Sequence, residues 1–89
     1  MNTSLVTDEL MKDAVKAVLQ RRKASVTMLQ RQFHIGYTRA RRLILQMEKM
    51  GIVGPHNGYE ARDVLMTVED VKRRYADMWM QRDRSKNDE

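Results

Sequence analysis

Apolar residues recur at helical spacing through the first half of the chain and predict three helices. The first is predicted to end near Gln20 or Arg21, and its apolar face contains Leu10, Met11, Ala14, Val15, Val18 and Leu19. The second is the segment VTMLQRQF, which Ser25 is expected to cap. The third is predicted from about Tyr37 to Met50, with an inward stripe formed by Ala40, Leu43, Ile44, Met47 and Met50. Gly51 follows this helix, as is common at helix C-termini.

The apolar spacing changes in the segment IVGPHNGYEARDVLM. Two short apolar stretches, Ile52–Val53 and Val64–Met66, flank a turn whose Asn57–Gly58 pair is a strong hairpin signal. Three helices followed by a small hairpin is the order of a winged helix-turn-helix. The predicted fold class is therefore mainly α with a small β-hairpin, and this domain is predicted over residues 8–66.

A further helix is predicted over residues 67–82, followed by a charged tail over 83–89. Its apolar seam consists of Val68, Val71, Tyr75, Met78 and Trp79. The seam could fold back on the domain's own core or pair with a second copy of the chain. A heptad-like stripe on a terminal helix suits dimerisation, so we predict that the seam forms a homodimer.

Positive charge is concentrated in one part of the chain, whose formal net charge is +5. No Asp or Glu occurs from Ala14 to Met47. The basic residues of that stretch are Lys16, Arg21, Arg22, Lys23, Arg31, Arg39, Arg41 and Arg42. A solvated helix face usually mixes signs, whereas a segment of one sign favours a surface that meets phosphate groups. The third helix is therefore predicted to enter the major groove of DNA, after a turn in which Gly36 is expected to have a positive φ.

Several function classes have no support in the sequence. The chain has no cysteine, and its two histidines lack metal-ligand spacing, so no metal or cofactor is predicted. No set of residues suggests a catalytic site, so no enzyme activity is predicted. The chain shows neither a membrane span nor a signal peptide, and a cytoplasmic location is expected.

The segment KASVTMLQRQFHIGYTRARRLILQMEKMGIV, followed by HNG and RDVL, closely resembles the gamma domain of the FtsK/SpoIIIE DNA translocases. That domain is the C-terminal winged helix of a bacterial chromosome-segregation motor. The resemblance covers roughly residues 13–65. It implies binding to a G-rich orienting sequence in double-stranded DNA, and contact with the XerD recombinase.

The resemblance also implies which residues face the bases. The family pattern GYNRAARxIE places its base-reading positions at Thr38, Arg42 and Leu45 of this chain. The family residues at these positions are Asn, Arg and Glu, and only Arg42 matches the pattern. Thr38 is shorter than Asn, and Leu45, unlike Glu, cannot accept a hydrogen bond from cytosine. These departures count against inheritance of the family's target sequence. The predicted phosphate-contacting residues are Arg31, Tyr37, Arg39, Arg41 and Arg62.

Three functions compete at this point. The first is a small dimeric, sequence-specific regulator that binds DNA, and the added terminal helix favours it. The second is a module that binds a XerD-type recombinase. The third is an accessory protein that masks the translocase's orienting sequences. Because the chain contains no motor motif and adds a helix, we expect a freestanding protein from a phage or other mobile element.

Overall fold

The three predicted N-terminal helices are present in the computed structural model, which describes residues 8–56, 58 and 61–80. Helix α1 spans Met11–Arg21, α2 spans Val26–Phe33 and α3 spans Tyr37–Lys49. Two short helices follow, α4 over Val68–Arg74 and α5 over Ala76–Trp79. The fold is mainly helical with a small β component, as a winged helix requires. Within the described ranges, no helix has the length and apolar character needed to cross a membrane.

The apolar stripes of α1, α2 and α3 meet in one core. The largest side chains buried there are Val15, Val18, Leu29, Leu43, Ile44, Met47, Ile52, Val53 and Val71. Ser25 caps α2 as predicted, because its hydroxyl accepts a hydrogen bond from the Met28 N–H at 3.1 Å. Burial of one face of α3 leaves its opposite face available to solvent.

The turn between α2 and α3 differs from the prediction at one position. His34 adopts the left-handed conformation, with φ 54°, whereas Gly36 has φ −78° and caps α3 in an extended conformation. The prediction of a positive φ at Gly36 is therefore wrong. A Cβ placed on Gly36 would meet nothing within 4 Å, so neither backbone geometry nor packing requires glycine there.

The predicted hairpin is present in reduced form as the wing, the segment from Ile52 to Met66. Val53 pairs antiparallel with Val64, flanked by hydrogen bonds from Gly54 N–H to the Asp63 carbonyl and from Leu65 N–H to the Ile52 carbonyl. Asn57 of the predicted turn lies outside the described residues. The wing also pairs with the α1–α2 connection, because Ala24 and Arg62 exchange two backbone hydrogen bonds of 3.1 Å. The wing is thereby fixed to the helical core.

The single terminal helix predicted over residues 67–82 is broken in the described part of that range. Tyr75 leaves the helical conformation, with φ −126° and ψ 48°, and separates α4 from α5. Its hydroxyl donates a hydrogen bond to the carbonyl of Met50 at the end of α3. Thr67 and Asp70 form a reciprocal capping box at the start of α4. The Thr67 backbone N–H donates to the Asp70 carboxylate and lowers the pKa of that carboxyl, because this hydrogen bond stabilises the charged form.

The apolar seam, apart from the exposed Val68, packs on the chain's own domain. Val71 is completely buried within a single chain, and Tyr75, Met78 and Trp79 pack against the same core. Lys16 of α1 lies over the Trp79 ring, with its Nζ 5.2 Å from the ring centroid. Assigning Val71 to a dimer interface is therefore wrong, because its surface is already covered. The homodimer itself stays a prediction.

Candidate nucleic-acid interface

The exposed face of α3 contains most of the residues predicted to contact DNA. Ala40, Leu43, Ile44 and Met47 anchor the buried face of the helix in the core. The side chains of Tyr37, Thr38, Arg41 and Arg42 are exposed on its other faces. A helix held in this way presents a fixed set of side chains to a groove, without a loop that must first become ordered.

The three predicted base-reading positions are brought to one side of α3. Thr38, Arg42 and Leu45 are separated by four and then three residues, so they are neighbours along one helix face. Thr38 and Arg42 are exposed, whereas Leu45 is half-buried. Leu45 therefore offers only part of an apolar surface, of the kind that suits a thymine methyl group better than a polar base edge.

The electrostatics of this face favour an anion. Arg31 of α2 is exposed, as are Arg41 and Arg42 of α3. Among the residues that the structure describes, none of these three guanidinium groups forms an ion pair. They are three permanent positive charges whose donors have no hydrogen-bond partner among the described residues, as phosphate binding requires. No group of three or more metal-ligating side chains is found in the described ranges.

Arg39 differs from the other arginines of α3 because it already binds a carboxylate. Its Nε and Nη2 donate to the two carboxylate oxygens of Asp8 at 3.0 and 2.8 Å. This hydrogen-bonded pair lowers the pKa of the Asp8 carboxyl. The Arg39 side chain is still 43% exposed. The structure thus places Arg39 near the predicted interface, but in the free protein its partner is Asp8.

Arg62 does not belong with the predicted phosphate contacts. Its side chain is only 10% exposed, and its Nη1 donates to the Glu48 carboxylate at 2.7 Å and to the Gly54 carbonyl at 3.2 Å. The guanidinium therefore ties the wing to the end of α3. Assigning Arg62 to phosphate is wrong because its side chain is mostly buried and its Nη1 already donates to Glu48 and Gly54.

Replacing Arg62 should lower stability instead of weakening interactions with DNA. We expect Arg62→Ala to reduce the free energy of unfolding by about 1–2 kcal/mol, because two hydrogen bonds from a mostly buried charged group are lost. Urea denaturation followed by circular dichroism measures this loss. Arg73→Ala is the matched control, since Arg73 is 70% exposed and its pair with Asp70 spans 3.8 Å. A normally stable Arg62→Ala protein would contradict the structural role.

Two long-range contacts of basic side chains were not predicted from the sequence. Asp8 lies 31 residues from Arg39, and Arg22 donates from Nη1 to the carbonyl of Met66, 44 residues away. Neither contact has a local sequence signature, because each joins elements that meet only after folding. The acid-free stretch indicated where basic residues gather, but it did not indicate which of them have partners.

A three-helix core, a small wing and an exposed basic third helix define a winged helix-turn-helix domain. Residues 6–67 match the family model described as the Ftsk gamma domain. The chain belongs to this family of DNA-binding winged helices, which confirms the resemblance inferred from its motifs. The match covers most of the chain and includes all of α1, α2, α3 and the wing.

Individual relatives are DNA translocases. The chain is 56% identical over 68 residues to the DNA translocase FtsK of Halalkalibacterium halodurans, covering 76% of this chain and 9% of that protein. It is 54% identical over 66 residues to the DNA translocase SpoIIIE of Bacillus subtilis, covering 74% of this chain and 8% of that protein. The chain therefore spans less than a tenth of the length of these relatives, and the likeness is to one domain of each.

Proposed function

We propose that this chain binds double-stranded DNA in a sequence-dependent manner, with α3 in the major groove. The observation that supports the proposal is the exposed face of α3, where Arg41 and Arg42 have no ion pair in the described structure. The Arg42 guanidinium donates hydrogen bonds to the O6 and N7 atoms of a guanine, which is the commonest specific contact of arginine in the major groove. Arg31 and Arg41 bind phosphate and position the helix.

The proposed role is that of a small DNA-binding regulator located with the chromosome in the cytoplasm. Because much of the apolar seam lies against its own domain, the proposal does not depend on a second copy. A homodimer would bind two half-sites related by twofold symmetry, whereas a single copy would bind one asymmetric site. Binding to a XerD-type recombinase, or to the orienting sequences of a translocase, is the alternative. An origin from a phage or mobile element stays a prediction.

Selection of bound sequences from a random duplex library tests the proposal. Enrichment of one motif supports sequence-dependent binding, and the form of the motif distinguishes the roles. A palindrome indicates a twofold dimer, whereas an asymmetric G-rich motif indicates translocase-like recognition. If no sequence is enriched, sequence-dependent binding is wrong, and a recombinase becomes the better candidate partner.

Binding should weaken steeply as salt concentration rises. Each phosphate that the protein neutralises contributes about −0.9 to the slope of log K against log salt. Arg31, Arg41 and Arg42 form no ion pair with a described residue, and phosphate contacts by these three and by one further basic residue of the acid-free stretch would together give a slope steeper than roughly −3. Fluorescence anisotropy of a labelled duplex between low and moderate salt measures it. A nearly flat response would remove DNA as the partner.

A further inference from the structure

Asp8 is held in a fixed position opposite Arg39 before any DNA is present. Its Oδ1 accepts a hydrogen bond from the Leu10 N–H at 2.9 Å, and its carbonyl accepts one from the Met11 N–H at 2.9 Å. The turn that begins α1 therefore orients the carboxylate. Both carboxylate oxygens then accept hydrogen bonds from the Arg39 guanidinium. Only 12% of the Asp8 side chain is exposed, so the carboxylate is largely shielded from competing water.

A carboxylate and a phosphate present the same pair of acceptor oxygens to a guanidinium fork. Asp8 thus occupies the donors with which Arg39 would bind the DNA backbone. Arg41 and Arg42 form no such ion pair in the described part of the chain. Asp8 also interacts electrostatically with Arg42, one helical turn beyond Arg39 on α3, and so lowers the positive potential of this end of the helix.

Phosphate contacts strengthen binding to every sequence, whereas base contacts discriminate between sequences. A group that removes one phosphate contact therefore weakens binding to every duplex by a similar factor and makes binding less dependent on salt. We propose that Asp8 limits the electrostatic affinity of this chain for DNA, because it keeps the Arg39 guanidinium from the DNA backbone. This inference rests on the proposed function, because it requires that α3 meets DNA.

The test compares Asp8→Asn with Asp13→Asn on a scrambled duplex. Both substitutions remove one negative charge, but Asp13 lies in the first turn of α1 and makes no ion pair with a described residue. We expect Asp8→Asn to steepen the salt slope by about 0.9, and to raise affinity for the scrambled duplex roughly fivefold to tenfold at 0.1 M salt. Asp13→Asn should leave the slope unchanged. In an Arg39→Gln background, Asp8→Asn should no longer steepen the slope.

The unmodified protein provides a second measurement that does not depend on the folding of a variant. The Arg39 Nε–H signal in a nitrogen–proton correlation spectrum should stay in place when scrambled duplex is added, because the Nε–H remains hydrogen-bonded to the Asp8 carboxylate. A shift of that signal, or equal slopes for Asp8→Asn and Asp13→Asn, would overturn the proposal. Absence of any salt-dependent duplex binding by the unmodified protein is a different result, which removes the proposed function and this inference with it.

Discussion

Val71→Asp is expected to unfold the domain at 25 °C. Val71 is fully buried in α4, against the core formed by α1, α2 and α3. Among the described residues, the buried core contains no polar or charged side chain that could pair with a new carboxylate. Burying an unpaired charge costs more than about 4 kcal/mol, whereas a core of this size rarely supplies more than about 3–5 kcal/mol of stability. Far-UV circular dichroism and urea denaturation measure the loss.

Val68→Asp is the matched control on the same helix. Val68 is 38% exposed and lies in the first turn of α4, where a negative charge interacts favourably with the helix dipole. Its free energy of unfolding should change by less than about 0.5 kcal/mol. If Val71→Asp folded normally and instead abolished self-association in sedimentation experiments, the seam would serve a dimer, and the packing of α4 on its own core would be contradicted.

The seam illustrates what an apolar stripe can and cannot predict. Its period indicated correctly that one face of the terminal segment is buried. The period could not indicate which surface covers that face, because the chain's own core and a second copy impose the same pattern. The break at Tyr75 was missed for a related reason. Its hydroxyl reaches the Met50 carbonyl, a partner 25 residues away that no local pattern specifies.

The candidate interface shows the same division between local and distant information. Periodicity placed Ala40, Leu43 and Ile44 inside, and this fixed which side of α3 faces outward. Charge composition then identified the basic surface. Arg39 pairs with Asp8, and Arg62 pairs with Glu48. Both carboxylates come close to their arginines only in the folded chain. Composition therefore favours an anionic partner for this surface, but it does not indicate which arginines already bind a carboxylate of the chain.

Arg42→Ala should weaken binding to the selected duplex by about 1–3 kcal/mol and relax preference at one base pair. Arg42 is exposed and shares a helix face with Thr38, four residues earlier, so we expect both side chains to enter the groove together. Arg41 lies about 100° around the helix from Arg42, so we expect it to face the DNA backbone beside the groove. Arg41→Ala should therefore weaken binding to selected and scrambled duplexes equally and reduce the salt slope by about 0.9.

Comparing the two variants on both duplexes separates base contact from phosphate contact, because each substitution removes one arginine from the same helix. Arg73→Ala supplies the baseline for losing a positive charge elsewhere, since Arg73 lies on α4 and is largely exposed. Each variant's thermal unfolding midpoint should match that of the unmodified protein, because neither Arg41 nor Arg42 forms an ion pair in the described structure. If Arg41→Ala and Arg42→Ala lose affinity by the same factor on both duplexes, Arg42 binds phosphate as well. Sequence preference would then have to come from Thr38, Leu45 or the shape of the DNA.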